Sequence, residues 1–281
     1  MSSKFTRLDT QRFGPWALVT GSSSGIGKEF AHQLAASGLN LILVARRQDA
    51  LESLGHQLAA DFGVEYRAVS LDLSDEGFLG RLEASTQDLD VGLIVSNAGG
   101  ALSFFTDMLD QDRAGLHRML RLNTAAHLDL AHHFGRRLAE RGRGGLLLVS
   151  SLGARQGWPG AADYAASKAF VMVLGESLHL ELAKLGVSVT VLLPGATETE
   201  MVRSYGVDAA TMNQMMRPMR LMSVDQVVAE GLGALNANRP MHITGRLNRT
   251  MASLLPRGAF TRMLGSMTAQ LRARQAAAQL P

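Results

Sequence analysis

The chain has 281 residues, of which 46% are hydrophobic and 19% are charged, which is typical of a soluble globular protein long enough to bury a sizeable core. It contains no cysteine, which excludes disulfides, thiolate nucleophiles and every cysteine-based metal site. The net charge is +3, but seven arginines and no acidic residue follow Glu230, so the basic character belongs to the tail and does not indicate nucleic-acid binding.

The N-terminal residues lack the apolar core of a signal peptide, so we expect a cytoplasmic protein. After them, short apolar runs rich in β-branched residues alternate with longer segments of helical periodicity. Strands that are apolar throughout and alternate with helices are typical of parallel sheets covered on both faces. The pattern therefore predicts one α/β domain, a doubly wound Rossmann-type sheet, over residues 1–245. The predicted strands are 16–20, 39–45, 64–69, 91–96, 146–151, 187–193 and a possible seventh near 241–244.

A glycine-rich loop, Thr20-Gly-Ser-Ser-Ser-Gly-Ile-Gly27, joins the first predicted strand to a helix. Such glycines allow a tight turn and close approach to a pyrophosphate, which the helix N-terminus would bind. The spacing matches neither the Walker phosphate loop nor the dinucleotide pattern G-x-G-x-x-G. It does contain G-x-S-x-G, the pattern of a serine hydrolase with Ser23 as nucleophile, although His179 and His242 lie in no recognisable triad setting. A purely structural turn is the third alternative.

Further motifs follow at the ends of later strands: Asn97-Ala98-Gly99, Ser151, Tyr164-x-x-x-Lys168 and Pro194-Gly195. Together with the glycine loop they resemble the short-chain dehydrogenase/reductase family over about residues 14–245. The resemblance implies a Rossmann-type sheet of about seven strands. It also implies hydride transfer between a nicotinamide cofactor and a carbonyl or secondary alcohol.

The end of the second strand indicates which nicotinamide cofactor is used. Sites of this kind place an acidic residue there, which accepts a hydrogen bond from the ribose 2′-OH of NAD. Here the position is Ala45, and Arg46 and Arg47 follow. A carboxylate would repel a 2′-phosphate, whereas an arginine fork pairs with it. The sequence therefore predicts NADP(H); the alternative is a pair of surface arginines at the start of a helix.

Tyr164 and Lys168 are four residues apart, which places both side chains on one face of a predicted helix. An adjacent ammonium lowers the pKa of a phenol, ordinarily about 10, by roughly 1–3 units. Carbonyl reduction needs a proton delivered to the oxygen, so a phenol tuned in this way is suited to general acid/base catalysis. By itself, the spacing also fits an ordinary surface pair.

The family resemblance assigns roles to the remaining positions. It implies that Ser151 donates to the substrate oxygen, that Lys168 also holds the nicotinamide ribose, and that the backbone carbonyl of Asn123 holds a relay water. The implied catalytic set is Asn123, Ser151, Tyr164 and Lys168; for Asn123, local hydrogen bonding within its helix is the alternative. The implied cofactor-binding residues are Gly21, Ser22, Ser23, Ser24, Gly25, Ile26, Gly27, Arg46, Arg47, Asp72, Leu73, Asn97, Ala98, Gly99, Tyr164, Lys168, Pro194, Gly195, Thr197 and Thr199.

Two later segments concern the substrate and the partners. Residues 200–222 carry six methionines, and the resemblance implies a flap that closes over the substrate. Flexible thioethers form an adaptable apolar wall, which favours a lipophilic or bulky substrate, with simple packing as the alternative. Residues 246–281 predict a basic amphipathic helix. It would cover the cleft, pack on a second subunit, contact an anionic membrane surface or be a loosely attached tail. Its predicted apolar face is Leu255, Ala259, Met263, Met267 and Leu271, with Phe260 and Leu264 beside them.

Two expectations concern assembly and metals. The resemblance implies a homodimer or homotetramer formed through the Tyr164 helix and the helix before it. His127, His132 and His133 cluster on one predicted helix without a metal-binding pattern, so we expect a solvated or interface face and no metal. The non-enzymatic alternative for the whole chain is an NADP-sensing module on the same fold.

Overall fold

The computed structural model describes the backbone of residues 7–200 and 221–278, and side chains as far as residue 273. Within these residues seven parallel strands form one sheet in the order β3-β2-β1-β4-β5-β6-β7. The strands are β1 (Trp16–Thr20), β2 (Asn40–Ala45), β3 (Tyr66–Ser70), β4 (Val91–Ser96), β5 (Gly144–Val149), β6 (Val187–Leu193) and β7 (Met241–Ile243). The helices are α1 (Thr10–Phe13), α2 (Gly25–Ala36), α3 (Gln48–Phe62), α4 (Phe78–Ala84), α5 (Arg113–Leu120), α6 (Ala126–Arg141), α7 (Ala162–Ala183), α8 (Val224–Asn236), α9 (Arg246–Leu254) and α10 (Arg257–Ala278).

Helices cover both faces of the sheet, which confirms the doubly wound prediction. On one face, α2, α3 and α8 bury residues such as Phe30, Leu51 and Leu232. On the other face, α4 and α6 bury Leu82 and Phe134. Each fully buried leucine or phenylalanine side chain stabilises the fold by roughly 1.5–3 kcal/mol, so these two layers hold the strand ends in fixed positions.

Three predicted strands, β1, β4 and β6, have the bounds that the apolar runs indicate, whereas β5 starts two residues earlier than expected. Its first residues are Gly144 and Gly145, which precede the apolar run from which the strand was predicted. A Cβ on Gly145 would lie 2.8 Å from the Phe13 ring, so this strand needs glycine where α1 crosses it. Sequence patterns cannot reveal such a requirement, because it comes from a distant segment.

The tail forms two helices rather than one. Leu255 adopts an extended conformation between α9 and α10, as expected for a residue that precedes a proline, here Pro256. The buried face of α10 consists of Met267 and Leu271 together with Phe260 and Leu264, the two residues predicted to lie beside the apolar row. Ala259 and Met263 are only partly covered. No helix in the described part of the chain has the length and apolar character needed to cross a membrane.

Candidate active site

A cleft of about 770 Å³ lies at the carboxyl ends of the strands and runs from the glycine loop to α10. It opens beside β1 and β4, where the strand order reverses. Ligands bind at such switch points in doubly wound sheets. All the predicted site residues except Ser22 and Asn123 contribute to its lining.

The glycine loop is shaped by contacts that leave no room for side chains. A Cβ on Gly21, whose φ is +68°, would lie 2.9 Å from Asn97 Nδ2, and a Cβ on Gly27 would lie 2.6 Å from the same atom. Asn97 Nδ2 in turn donates to the Thr20 carbonyl at 2.9 Å, and the Asn97 and Ala98 amides donate to Thr20 Oγ1. The loop therefore presents bare backbone and the start of α2 to the cleft, which fits a pyrophosphate group.

The serines of the loop do not behave alike. Ser22 is fully buried and its hydroxyl donates to the Val44 carbonyl at 3.4 Å, so its side chain faces away from the cleft. The predicted contact between Ser22 and the cofactor stays a prediction. Ser23 lines the cleft, and its hydroxyl and carbonyl both accept from Arg47 at 3.4 Å.

The serine-hydrolase alternative requires a histidine beside Ser23, and neither candidate lies there. His179 Nδ1 is 2.7 Å from the Val189 carbonyl, and His242 Nε2 is 2.8 Å from Glu230 Oε2. Both rings are therefore engaged at other positions of the fold. The described residues give Ser23 a cation as its neighbour, not a general base.

The far end of the cleft is rich in cations. Arg46, Arg47 and Arg118 line it together with Asp72. Burial acts to raise the pKa of Asp72, but hydrogen bonds from Ser74 and the charges of Arg46 and Arg118 outweigh it and hold the pKa below its usual value. This corner suits a phosphate group. Sequence reasoning missed Arg118, because an arginine within a helix carries no pattern that would place it opposite the end of β2.

Ser151, Tyr164 and Lys168 meet in the middle of the cleft, where Tyr164 and Lys168 are both buried. Burial raises the pKa of Tyr164, and a hydrogen bond with the Ser151 side chain acts in the opposite direction. Burial also lowers the pKa of Lys168 to about 8, and its Nζ donates to the Val149 carbonyl at 3.0 Å. The raised pKa of Tyr164 is opposite to the shift expected from the helical spacing, because burial disfavours the phenolate.

Asn123 lies behind this group, in a π-helical turn (Arg121–Ala125) between α5 and α6. Its side chain pairs with the backbone of Gly100, accepting from the amide at 2.9 Å and donating to the carbonyl at 2.7 Å. A Cβ on Gly99 would lie 2.9 Å from both Asn123 Oδ1 and Lys168 Nζ. Asn123 is therefore close to the lysine, and π-helical turns are frequent at functional sites. The role of its carbonyl stays a prediction.

His127 differs from the expectation of a solvated or interface helix face. It is buried, with its Nδ1 2.7 Å from Ser96 Oγ. Burial, with a smaller effect from the charge of Lys168, lowers its pKa to about 3, so the ring is neutral at physiological pH. Among the described residues no three His, Asp or Glu side chains are grouped to hold a metal ion.

The segment after β6 runs along the cleft beside Ser151. The Pro194 carbonyl accepts from the Leu152 amide at 2.8 Å, and the Gly195 amide donates to Thr244 Oγ1 at 3.2 Å. Thr197 is buried and its hydroxyl donates to the Gly195 carbonyl at 3.0 Å. These bonds fix the position of a segment predicted to bind the cofactor. Of the flap predicted at 200–222, residues 201–220 lie outside the described part of the chain.

The other side of Tyr164 is apolar. The Phe104 ring lies 5.0 Å from the Tyr164 ring and 5.5 Å from the Trp158 ring, measured between centroids. Helix α10 completes this wall of the cleft with four side chains, Phe260, Leu264, Met267 and Leu271. Sequence reasoning missed Phe104 and Trp158, because they lie in loops without periodicity. The arrangement favours the cleft-covering alternative for the tail.

A parallel sheet with a glycine cradle at its switch point, and a serine, tyrosine and lysine in the same cleft, defines a nicotinamide-dependent oxidoreductase site. Residues 15–210 match the family model described as short chain dehydrogenase. The chain therefore belongs to the short-chain dehydrogenase family. It is an oxidoreductase acting on alcohol and carbonyl groups, as predicted from its motifs.

Similar proteins share much of this chain. A 7beta-hydroxysteroid dehydrogenase of Clostridium sardiniense is 32% identical over 240 residues, covering 85% of this chain and 88% of that protein. A very-long-chain 3-oxoacyl-CoA reductase-like protein of Arabidopsis thaliana is 35% identical over 195 residues, covering 68% of this chain, which spans 62% of that relative's length. A short-chain dehydrogenase from Sphingobium yanoikuyae, solved in complex with NADPH, is 30% identical, with a TM-score of 0.74 and coverage of 95% and 97%.

Proposed function

We propose that the protein transfers hydride between NADP(H) and a bulky, apolar ketone or secondary alcohol, with Tyr164 as general acid/base. One observation carries the proposal. Tyr164 is hydrogen-bonded to Ser151 inside the same cleft that holds the glycine loop and the arginine corner. A nucleotide held by the loop and a substrate held by Ser151 would therefore share one space.

Several groups of the chain would hold the cofactor. The start of α2 and the bare glycine backbone would bind the pyrophosphate, and the segment from Pro194 to Thr199 would bind the carboxamide. Asn97, Ala98 and Gly99 would lie along the adenosine ribose, with Asp72 and Leu73 beside the adenine. When bound, the nicotinamide supplies or accepts the hydride.

Proton transfer is the task of the chain's own residues. In the reductive direction, Ser151 donates to the carbonyl oxygen and Tyr164 gives it a proton. The raised pKa of Tyr164 keeps the phenol protonated before the reaction. Lys168, with a pKa of about 8, is mainly protonated at neutral pH, and its charge stabilises the phenolate that forms. A water held by the Asn123 carbonyl would return the proton to Tyr164 through Lys168.

The choice of NADP(H) over NAD(H) is supported by the residues after β2. Ala45 stands where an acidic residue would select NAD, and Arg46 and Arg47 line the cleft beside it. Arg118 adds a third guanidinium to the same corner. The structure of the Sphingobium relative with NADPH supports the same choice.

The substrate class is supported by the apolar wall. Phe104, Trp158 and the buried face of α10 surround the space next to Tyr164. The names of the relatives, a hydroxysteroid dehydrogenase and a very-long-chain 3-oxoacyl-CoA reductase, describe proteins that act on large lipophilic molecules. We therefore infer a substrate with a large apolar body.

The test is an NADPH-consumption screen over ketones of graded bulk, run with the wild type and Tyr164→Phe. Tyr164→Phe removes the proton donor but keeps the ring that packs on Phe104. We expect turnover to fall by at least about 100-fold while NADPH binding by calorimetry is unchanged. Near-wild-type turnover by the variant would disprove the proton-transfer role, and absence of binding of either dinucleotide would disprove the whole proposal.

Assembly into a homo-oligomer through α6 and α7 is part of the proposal. Val173 and Leu180 on α7 are 56% and 70% exposed, and Leu128 on the neighbouring helix α6 is also exposed. Apolar side chains at this exposure on neighbouring helices are suited to a subunit interface. Light scattering of the purified protein, compared with Val173→Asp, measures the assembly. A cytoplasmic location stays a prediction.

A further inference from the structure

The end of α10 is tied to two loops of the cleft. Arg272 donates from Nη1 and Nη2 to the two carboxylate oxygens of Asp107, at 2.9 and 2.8 Å, and from Nε to the Phe105 carbonyl. About one helical turn before Arg272, the Thr268 hydroxyl donates to the Pro159 carbonyl at 2.9 Å. We call these contacts the latch, formed by Phe105, Asp107, Pro159, Thr268 and Arg272.

The latch holds Phe105 in an unusual conformation. Its φ is 71°, in the left-handed region that residues with large side chains rarely adopt. The Phe105 amide donates to the Gly160 carbonyl at 2.9 Å, and its carbonyl accepts from Arg272. Both backbone polar groups of the strained residue are thus bound, one to each neighbouring segment. Strain of this kind persists only where surrounding contacts hold it, and it is concentrated at functional sites.

The three segments meet so closely that only glycine fits between them. A Cβ on Gly160 would lie 2.7 Å from Thr268 Cγ2, 3.1 Å from the Phe105 Cα and 3.2 Å from Arg272 Nη2. Gly160 also has a φ of +82°, which glycine adopts without strain. The position of α10 over the cleft is therefore specified by backbone packing as well as by its apolar face.

The Arg272–Asp107 pair contributes little to overall stability. The two side chains are 36% and 60% exposed, and solvent screening leaves such pairs nearly neutral in free energy. Its effect is local, because a planar guanidinium bound to both carboxylate oxygens and a carbonyl allows one orientation only. That orientation holds the end of α10 against Phe105, and the preceding residue, Phe104, contacts Tyr164.

We propose that Arg272 is a positioning residue for substrate selection: through the latch it places α10 so that the cleft accepts bulky, rigid ring ketones. This inference rests on the proposed function. Arg272 does not line the cleft, so it acts through Phe105 and through the α10 side chains that do. Loss of the latch should therefore raise KM for a bulky ketone and leave kcat, which depends on Tyr164, nearly unchanged.

The test compares Arg272→Ala with wild type on two probes, androstanedione as the rigid bulky ketone and cyclohexanone as the small one. We expect KM for androstanedione to rise about five- to tenfold, with kcat and the cyclohexanone KM changed less than about twofold. Arg67→Ala is the matched control. Arg67 makes the same kind of fork, to Asp88 and to the Ser85 carbonyl, away from the cleft, so its loss should change neither KM. An unchanged ratio of the two KM values in Arg272→Ala would overturn the proposal.

A second comparison separates positioning from general damage. Asp107→Ala should raise the androstanedione KM as Arg272→Ala does, and the double variant should add little, since both remove one interaction. Fully additive effects, or a matching loss for cyclohexanone, would count against the latch.

Failure of the proposed function can be recognised separately. The chain has two tryptophans, so Trp16→Phe leaves Trp158, which lies in the cleft wall next to Pro159, as the only indole. Its fluorescence reports androstanedione binding without turnover. If no ketone is reduced but Arg272→Ala weakens this binding about fivefold or more, the latch stands and the proposed reaction fails. If binding is equal with and without Arg272, the latch proposal fails whatever the reaction.

Discussion

Replacing Lys168 by methionine should abolish activity and stabilise the protein. Burial lowers the pKa of Lys168 from 10.5 to about 8, so the folded state holds the charged amine at a free-energy cost. A shift of this size corresponds to about 3 kcal/mol at neutral pH. Loss of the hydrogen bond to the Val149 carbonyl costs about 1 kcal/mol, which leaves a net gain of roughly 2 kcal/mol.

The sign of the pH dependence follows from proton binding. Between pH 8 and the ordinary pKa of 10.5, the unfolded state binds more protons at Lys168 than the folded state, so wild-type stability from this group rises with pH. The advantage of Lys168→Met should therefore shrink over that window and be gone above it. Neither the gain in stability of Lys168→Met nor its decrease at alkaline pH depends on a bound cofactor.

Urea unfolding at neutral and at alkaline pH measures both effects. Lys184→Met is the matched control, since Lys184 is exposed at the end of the same helix and its replacement should leave stability nearly unchanged. A Lys168→Met variant that is less stable than wild type at neutral pH would refute the reasoning that burial of this charge opposes folding.

Two further substitutions test the nucleotide end of the cleft. Arg46→Asp combined with Arg47→Leu should lower the ratio of kcat/KM for NADPH to that for NADH by at least about tenfold, because a carboxylate repels the 2′-phosphate; an unchanged ratio would refute the assignment of this corner. Gly27→Ala should weaken dinucleotide binding in calorimetry by at least about tenfold, because its Cβ would lie 2.6 Å from Asn97 Nδ2 and displace the loop. Gly80→Ala, at an exposed helical glycine with open space around it, is the control for nucleotide binding.

The sequence was sufficient to predict the sheet and most of the residues that line the cleft. Strands that are buried on both faces produce continuous apolar runs, and β1, β4 and β6 have the predicted bounds for this reason. The motif residues Tyr164, Lys168 and Ser151 lie at strand ends or on one helix face, so their positions follow from the regular geometry of those elements.

The departures have a different origin. Helical spacing brings Lys168 next to Tyr164 but carries no information on burial, and burial decides the direction of the pKa shift at Tyr164. The apolar wall of the cleft is formed partly by Phe104 and Trp158, which lie in irregular loops. It also depends on contacts with α10, which lies more than a hundred residues away in sequence. The break between the two helices of the tail could have been predicted, because a proline such as Pro256 interrupts a helix. The prediction instead continued one helix across it.

The two borders of the sheet have a consequence for self-association. The outermost strands are β3 and β7, which are five and three residues long. Arg67 on β3 projects a charge that is paired with Asp88, and next to β7 the Arg249 guanidinium pairs with Glu230 and bonds the Ile243 carbonyl. Short edge strands flanked by charged side chains discourage pairing between the edge strands of two copies of the protein. Growth into fibres is thereby disfavoured.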